Sequence, residues 1–523
     1  MARHRLLTGL QSAAAGGVPI LSRLPRHRPP PLHLCRSTAA SSAATAAASA
    51  ALPFSAVPGP SVVPLLRNLP HMLPGGRYFK MPAIQQLELC RQEYGPIWKI
   101  ELPWQRPMLF LARPEDVKEV FLADGPIPKR QDFEAFAAYR TSRGLGVGIA
   151  AAEGEQWKEY RELGQTVLGG PQSALRYVDK ITDAADMFIR HLRSVRGGPQ
   201  STEQAPPYTV SNFQESAKLW AFESMNTMAL GAPIGIYERD AEAARLFNGT
   251  MELFECFTEL NQAVPLWRLF PTPLYRRMAR STDVVWDTCS QYVRRALAEP
   301  IAGSMVAMVA DQVTSDRKLM MVTDIIGDLL LSSIDTTSTT LTYLIHCLAV
   351  HPECQERARQ EVLAALPSAG DQPTADTIPQ LSYLKACLKE ALRIHHVTAG
   401  VGRVLSKELV LSGYTVPAGV RCVPLSMLMA LDPHLFPEPE RFLPERWLRS
   451  SPQYQKVAQY AYLPFGHGPR MCVGRRFAEL ESWVAAAQLL RQFRITTSTP
   501  EFGKVMKLIN MPDRPIDFQL NDL

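Results

Sequence analysis

From residue 114 to 366 the apolar positions recur mainly at three- and four-residue spacing, the period of amphipathic helices. Residues 321–350 form one long helical segment whose acids are Asp324, Asp328 and Asp335. At ~1.5 Å per residue such a helix is about 45 Å long and crosses a large domain. A second helix is predicted over 383–394. A last long one begins at Val473, where Phe477, Leu480, Val484, Ala487 and Leu490 recur at helical spacing. Alternation and flanking turn residues predict strands at 97–102 and 108–112. A β-rich patch follows at 409–411, 414–416 and 420–423, punctuated by Gly413, Pro417 and Gly419. Residues 200–207 and 231–236 read as loops, and 367–373 as a surface turn. Pro53, Pro58, Pro60 and Pro64 make 51–87 an extended lead-in rather than a helix. There is no internal repeat. The fold class is therefore mainly α with a small β-rich region.

The 523 residues are 46% hydrophobic and 20% charged, enough for a large buried core. The formal charge of +6 is unevenly spread. Residues 1–87 hold nine basic side chains and no acid, leaving 47 basic against 50 acidic in the remainder. The body is close to neutral, so the charge is no sign of nucleic-acid binding. Residues 1–50 are rich in Arg, Ala, Ser and Pro, the composition of a mitochondrial transit peptide. No uninterrupted apolar run follows Arg5 to suggest a secretory signal, and no window reaches the ~20 apolar residues that span a bilayer. Nine scattered cysteines without a C-x-x-C pair argue against a disulfide framework or a zinc cage.

The chemistry concentrates at residues 463–476, LPFGHGPRMCVGRR. Cys472 stands among Gly466, Gly468 and Gly474, with Arg470 two residues before it and a helix predicted directly after. Cysteine ligates metal as the thiolate. A helix N-terminus faces such an anion favourably, and close amide N–H groups tune it. A lone soft ligand suits haem iron better than structural zinc. The competing readings are a nucleophile served by His467, a phosphate loop (which would want Lys and Ser/Thr after the glycines) and a buried structural thiol.

The run Phe465-Gly466-His467-Gly468-Pro469-Arg470-Met471-Cys472-Val473-Gly474 resembles the haem-binding loop of the cytochrome P450 family. Glu390-Ala391-Leu392-Arg393 resembles its E-x-x-R motif, and Pro444-Glu445-Arg446-Trp447 its P-E-R-F/W. Trp157-Lys158-Glu159-Tyr160-Arg161 resembles its W-x-x-x-R. The resemblance implies a single haem domain over 51–523 with a long central helix over the haem. It implies haem b as cofactor, Cys472 as its axial ligand, and Phe465 in the binding loop. It further implies Trp157, Arg161, Arg470 and Arg403 near the propionates, and a buried network of Glu390, Arg393 and Arg446. Ser333-Ile334-Asp335-Thr336-Thr337 resembles the oxygen-activating segment, with Asp335 and Thr336 relaying protons. Ser332 and Ser333 stand where the family usually has glycine. Serine hydroxyls can bond the i−4 carbonyl and bend a helix, so they are expected to substitute for it. His395-His396 stands where an aromatic and a proline are common and reads as loop packing.

Lys385 and Lys389 share a helix face at i,i+4, and Arg475 and Arg476 follow the haem loop. This pairing resembles the mitochondrial clan, whose members dock an acidic [2Fe–2S] ferredoxin of adrenodoxin type, supplied by its reductase. The resemblance implies a matrix-side, inner-membrane location with peripheral membrane contact, O2 as co-substrate, an apolar sterol substrate and no nucleic acid. Leu52-Pro53-Phe54-Ser55-Ala56-Val57-Pro58-Gly59-Pro60, Gly400-Val401-Gly402-Arg403-Val404, Leu463-Pro464-Phe465-Gly466-His467-Gly468 and Lys507-Leu508-Ile509-Asn510 resemble arthropod ecdysteroid 22-hydroxylases. On that resemblance the pocket draws on residues near 133–140, 329–333, 398–401 and 506–508. A detoxifying oxygenase, another mitochondrial sterol or vitamin D type, an isomerising haem relative and a non-catalytic sterol carrier are the alternatives.

Overall fold

The central helix runs over Asp316–Val350, beginning at 316 rather than 321. A cap explains the extra turn: Ser315 Oγ accepts the Lys318 amide at 3.3 Å and satisfies one orphan donor. Asp316 and Arg317 are exposed, so that turn carries no apolar period. Pro352 stops the helix and opens the next, Pro352–Ala365, where its missing N–H is no loss. Against the central helix pack Phe213–Leu230, Pro273–Ala298, Ser382–Ile394 and Arg475–Gln492. The structure, a computed structural model, describes residues 51–523 except 131, 169–172 and 199–205. The expected transit segment 1–50 and most of the expected loop at 200–207 lie outside the described residues.

Residues 51–523 cluster as one unit with two main apolar cores. The larger lies among the helices. The smaller lies under a four-stranded sheet, where Trp98 and Phe110 stack with centroids 5.5 Å apart. In that sheet Ile97–Ile100 pairs antiparallel with Met108–Leu111, which pairs parallel with Arg421–Pro424; Arg403–Val404 closes the edge. The strands match the predicted ones within two residues. Leu409–Leu411 and Tyr414–Val416 form a hairpin across Ser412 and Gly413, both at positive φ as a two-residue turn requires. The lead-in is extended and turn-rich until helix Ala83–Tyr94 begins. The last long helix starts at Arg475, two residues later than the periodicity predicts, because Gly474 (φ −83, ψ 3) caps it. No helix among the described residues is long and apolar enough to cross a membrane.

Candidate active site

Residues 463–474 are held by their own backbone. The Cys472 amide donates to Phe465 O at 2.9 Å, and the Met471 amide to Gly468 O at 3.0 Å. Gly466 and Gly468 both adopt φ near +70°, the left-handed region that costs any L-residue with a Cβ about 1–2 kcal/mol. Seven of the eight described cysteines are buried; Cys472 alone is exposed. Yet burial pushes its thiol up, against the Gly474 backbone and the charges of Arg161, Arg130 and Arg475, which draw it down. Its sulfur is thus accessible at the surface of the loop while the surrounding protein still desolvates it.

The central helix is uncovered along one short stretch. From Met321 to Leu348 every residue is buried except Ser332, Ser333 and Thr336. Those three share one helix face. Ser332 Oγ donates to Leu329 O and Ser333 Oγ to Leu330 O, each at 3.3 Å. The bonds go to the i−3 carbonyl, not the expected i−4, because helical hydroxyl rotamers reach either. The i−4 bond is made instead by Thr336, whose hydroxyl donates to Ser332 O. Asp335, turned off that face, is buried; Lys218 Nζ stands 3.7 Å from its Oδ1 and 2.8 Å from the exposed Glu215. Burial raises the Asp335 carboxyl and Lys218 lowers it.

Guanidinium groups line the loop. Arg161 Nη1 donates to Met471 O at 3.1 Å, while its buried Nε has no partner. Arg470 donates to Pro128 O (3.1 Å) and Ala152 O (2.8 Å), stacks 4.3 Å over the buried Trp157 ring, and keeps Nη1 buried without a partner. Arg403 is engaged differently, with Asp124 (2.6 Å), Gly402 O and His467 O (both 3.0 Å). Nothing in the sequence marks Asp124, 279 residues away. His467 packs on Phe121 and Tyr460, and no hydrogen bond among the described residues joins it to Cys472. An exposed thiol on a glycine-turned loop, with two orphaned guanidinium donors nearby, suits a flat group that takes a sulfur ligand and carries carboxylates.

Behind the loop Glu390 is fully buried. It accepts from Arg393 Nε (3.0 Å) and Nη2 (2.8 Å), Arg446 Nε (2.8 Å), Trp447 Nε1 (2.8 Å) and the Leu443 amide (3.1 Å). Trp447 is the participant that charge reasoning missed, although it ends the quoted motif. Arg140, which falls in one expected pocket stretch, is instead buried in an ion pair with Asp324 and donates to Gly146 O. Tyr160 (2.6 Å) and Trp286 (2.9 Å) also bond Asp324.

The sequence profile of the family described as Cytochrome P450 matches residues 57–520. The chain belongs to the cytochrome P450 family. Its cofactor is haem with an axial cysteine thiolate, and it is a monooxygenase. It is 32% identical over 506 residues to a probable cytochrome P450 12a5, mitochondrial, of Drosophila melanogaster, covering 90% of this chain and 92% of that one. It is 30% identical over 519 residues to cytochrome P450 CYP12A2 of Musca domestica (94% and 95%). It is also 30% identical over 487 residues to the human protein named 25-hydroxyvitamin D-1 alpha hydroxylase, mitochondrial (89% and 92%). Relatives of this P450 are thus named mitochondrial and imply an external redox partner.

The predicted partner surface is mixed in character. Lys389 is exposed, Lys385 half-buried with Nζ 5.0 Å from the Trp483 ring. Burial lowers both ammonium groups. Arg475 and Arg476 both pair with Glu479, at 3.0 and 3.3 Å, and Arg475 lies over the Phe465 ring. No salt bridge among the described residues takes up Lys385 or Lys389, while Glu479 partly neutralises the two arginines.

Proposed function

We propose that Cys472 is the axial ligand and that the protein hydroxylates a sterol side chain, at C22 in ecdysteroid biosynthesis, drawing electrons from a mitochondrial [2Fe–2S] ferredoxin. The single observation that carries the site is Cys472: the one exposed described cysteine, on a loop flanked by two orphaned guanidinium donors. Haem held by a thiolate supplies the activation of O2, one atom going to substrate and one leaving as water. The chain does the rest. Gly466 and Gly468 let the loop backbone turn tightly enough to offer the sulfur. Arg161 Nε and Arg470 Nη1 would hold the two haem carboxylates, with the Trp157 ring stacked under the Arg470 guanidinium. Glu215, Lys218 and Asp335 lead from exposed surface to the central helix, a path along which a proton reaches Asp335. Thr336, with its hydrogen given to Ser332 O, keeps its lone pairs free to orient a water on that open helix face. Phe133, half-buried and backed by the core rings of Phe257 and Phe136 (4.9 Å from Phe133 to Phe257, 5.4 Å from Phe136 to Phe257), supplies apolar surface suited to a sterol.

Lys385, Lys389, Arg475 and Arg476 steer the acidic ferredoxin. Leu65 and Leu269, 93% and 81% exposed, with Phe270, support peripheral contact with the matrix side of the inner membrane, reached through a transit peptide at 1–50. The human relative's printed name supports a second reading, a secosteroid substrate. Reconstitution with ferredoxin, its reductase and a panel of sterols, secosteroids and planar xenobiotics tests these together, the product position being read by mass spectrometry. Cys472→Ser is expected to abolish the thiolate absorption band and all turnover. Retention of both sinks the ligand assignment, and oxidation of xenobiotics alone sinks the sterol reading.

A further inference from the structure

Eleven residues after Thr336, about 16 Å along the central helix, a second donor cluster lies outside the haem chemistry. One nitrogen each of His346 and His395 and the Sγ of Cys347 lie within 4.8 Å of one another. Cys347 is a free, buried thiol. His346, 5% exposed, has Nε2 3.0 Å from Thr499 O. A carbonyl only accepts, so Nε2 carries the hydrogen and Nδ1 carries the lone pair. That Nδ1 is buried without a partner, and so is Nδ1 of His395. Unpaired buried polar groups are costly, and two unpartnered imidazole nitrogens on rings that meet a free thiol call for an occupant.

The surroundings fix the donors. His395 stacks on Tyr343 (4.9 Å) and Phe502 (5.1 Å), and Phe502 lies edge-on to His346 at 4.8 Å. The Thr499 carbonyl orients His346 as outer partners orient metal-bound imidazoles. His395 is half-buried, which leaves a route inward.

We propose that His346, Cys347 and His395 bind one monovalent copper ion. The donor set is one soft thiolate and two imidazoles with no carboxylate, the kind that selects Cu(I). Zinc in a structural site wants four ligands. Charge decides in the same direction. Coordination replaces the thiol proton, which leaves to solvent, so Cu(I) with thiolate and two neutral imidazoles is uncharged. A divalent ion leaves a net positive charge in an aromatic shell, beside the Lys504 ammonium that donates to Ile394 O at 2.8 Å. Bonds of about 2.0–2.3 Å bring donors within roughly 4 Å of each other, so binding draws the cluster in by under ~1 Å. The ion ties the end of the central helix to the end of the E-x-x-R helix.

Transfer from a coloured Cu(I)–bicinchoninate complex to the haem-loaded full chain tests this. Wild type is expected to take one ion per chain, with a copper-edge X-ray absorption signature of one sulfur and two nitrogens. Cys347→Ser and His395→Phe, the latter keeping the stack on Tyr343 and Phe502, are expected to weaken binding more than about 100-fold. That exceeds the 10–100-fold typical of losing an outer partner. The haem-thiolate band of each variant reports that it is folded. No transfer to wild type, equal transfer to either folded variant, or displacement of Cu(I) by equimolar Zn(II) overturns the proposal.

Discussion

Glutamine at position 390 is the sharpest perturbation of the framework behind Cys472. Glu390 accepts five hydrogen bonds, three from the guanidiniums of Arg393 and Arg446, in a site with no solvent access. Glu390→Gln keeps the shape, removes the charge, and turns two acceptor positions into donors that face donors. Breaking a buried pair from one side costs ~3–5 kcal/mol, because a buried charge loses its counter-ion. Neutral acceptors remain: Ala430 O and Arg441 O for Arg393, and Pro437 O, Glu438 O and Gln455 Oε1 for Arg446. They moderate the loss to about 3 kcal/mol, the lower end of that range. Against a typical domain stability of ~5–15 kcal/mol this is a fifth or more of the total. Urea unfolding followed by tryptophan fluorescence measures it, and haem content after gel filtration reads whether the 463–474 loop still holds its cofactor. A coupling energy from Glu390→Gln, Arg446→Met and the double variant isolates the Arg446 share. If Glu390→Gln unfolds within about 1 kcal/mol of wild type and keeps its haem, the buried charge network is not what braces the loop.

Lys389→Glu is expected to raise the Michaelis constant for ferredoxin and to flatten its salt dependence, leaving a ferredoxin-independent peroxide reaction unchanged; an unaltered constant removes Lys389 from the docking surface. The buried Asp328, whose Oδ2 accepts the Ala150 amide at 3.0 Å, has its carboxyl raised by burial to about 7. The folded chain keeps a proton there that the unfolded chain gives up near pH 4, so this group lowers stability as pH rises from about 4 to about 7. Asp328→Asn, which still accepts from Ala150, is expected to raise the urea midpoint at pH 7.5 by more than at pH 5; an equal shift at both rejects the burial argument. Ser333→Gly tests whether the i−3 hydroxyl bonds stand in for glycine: similar product per NADPH is expected, and far better coupling in the glycine variant refutes the substitution.

What could be read along the chain was short in range. The central helix, the E-x-x-R pairing and the Ser412–Gly413 hairpin depend on residues a few positions apart, where backbone geometry dictates contact. Cap chemistry shifted the ends: Ser315 lengthened one helix and Gly474 delayed another, both through single residues that hydrophobic period ignores. Helix patterns also cannot say which polar residue will find a partner. Arg140 resembled a pocket residue until Asp324, 184 positions on, claimed it. Arg403 likewise turned to Asp124.

The sequence by itself determined the chemistry available at Cys472, because a thiol, its glycines and its arginine lie within nine residues and their spacing limits what the backbone can do. Only the tertiary structure decided that this thiol alone among the described cysteines stays exposed, which donors around it stay unpaired, and that His346 and Cys347 meet His395. Those outcomes depend on burial and on contacts between distant segments, which arise when the chain closes on itself and water is excluded.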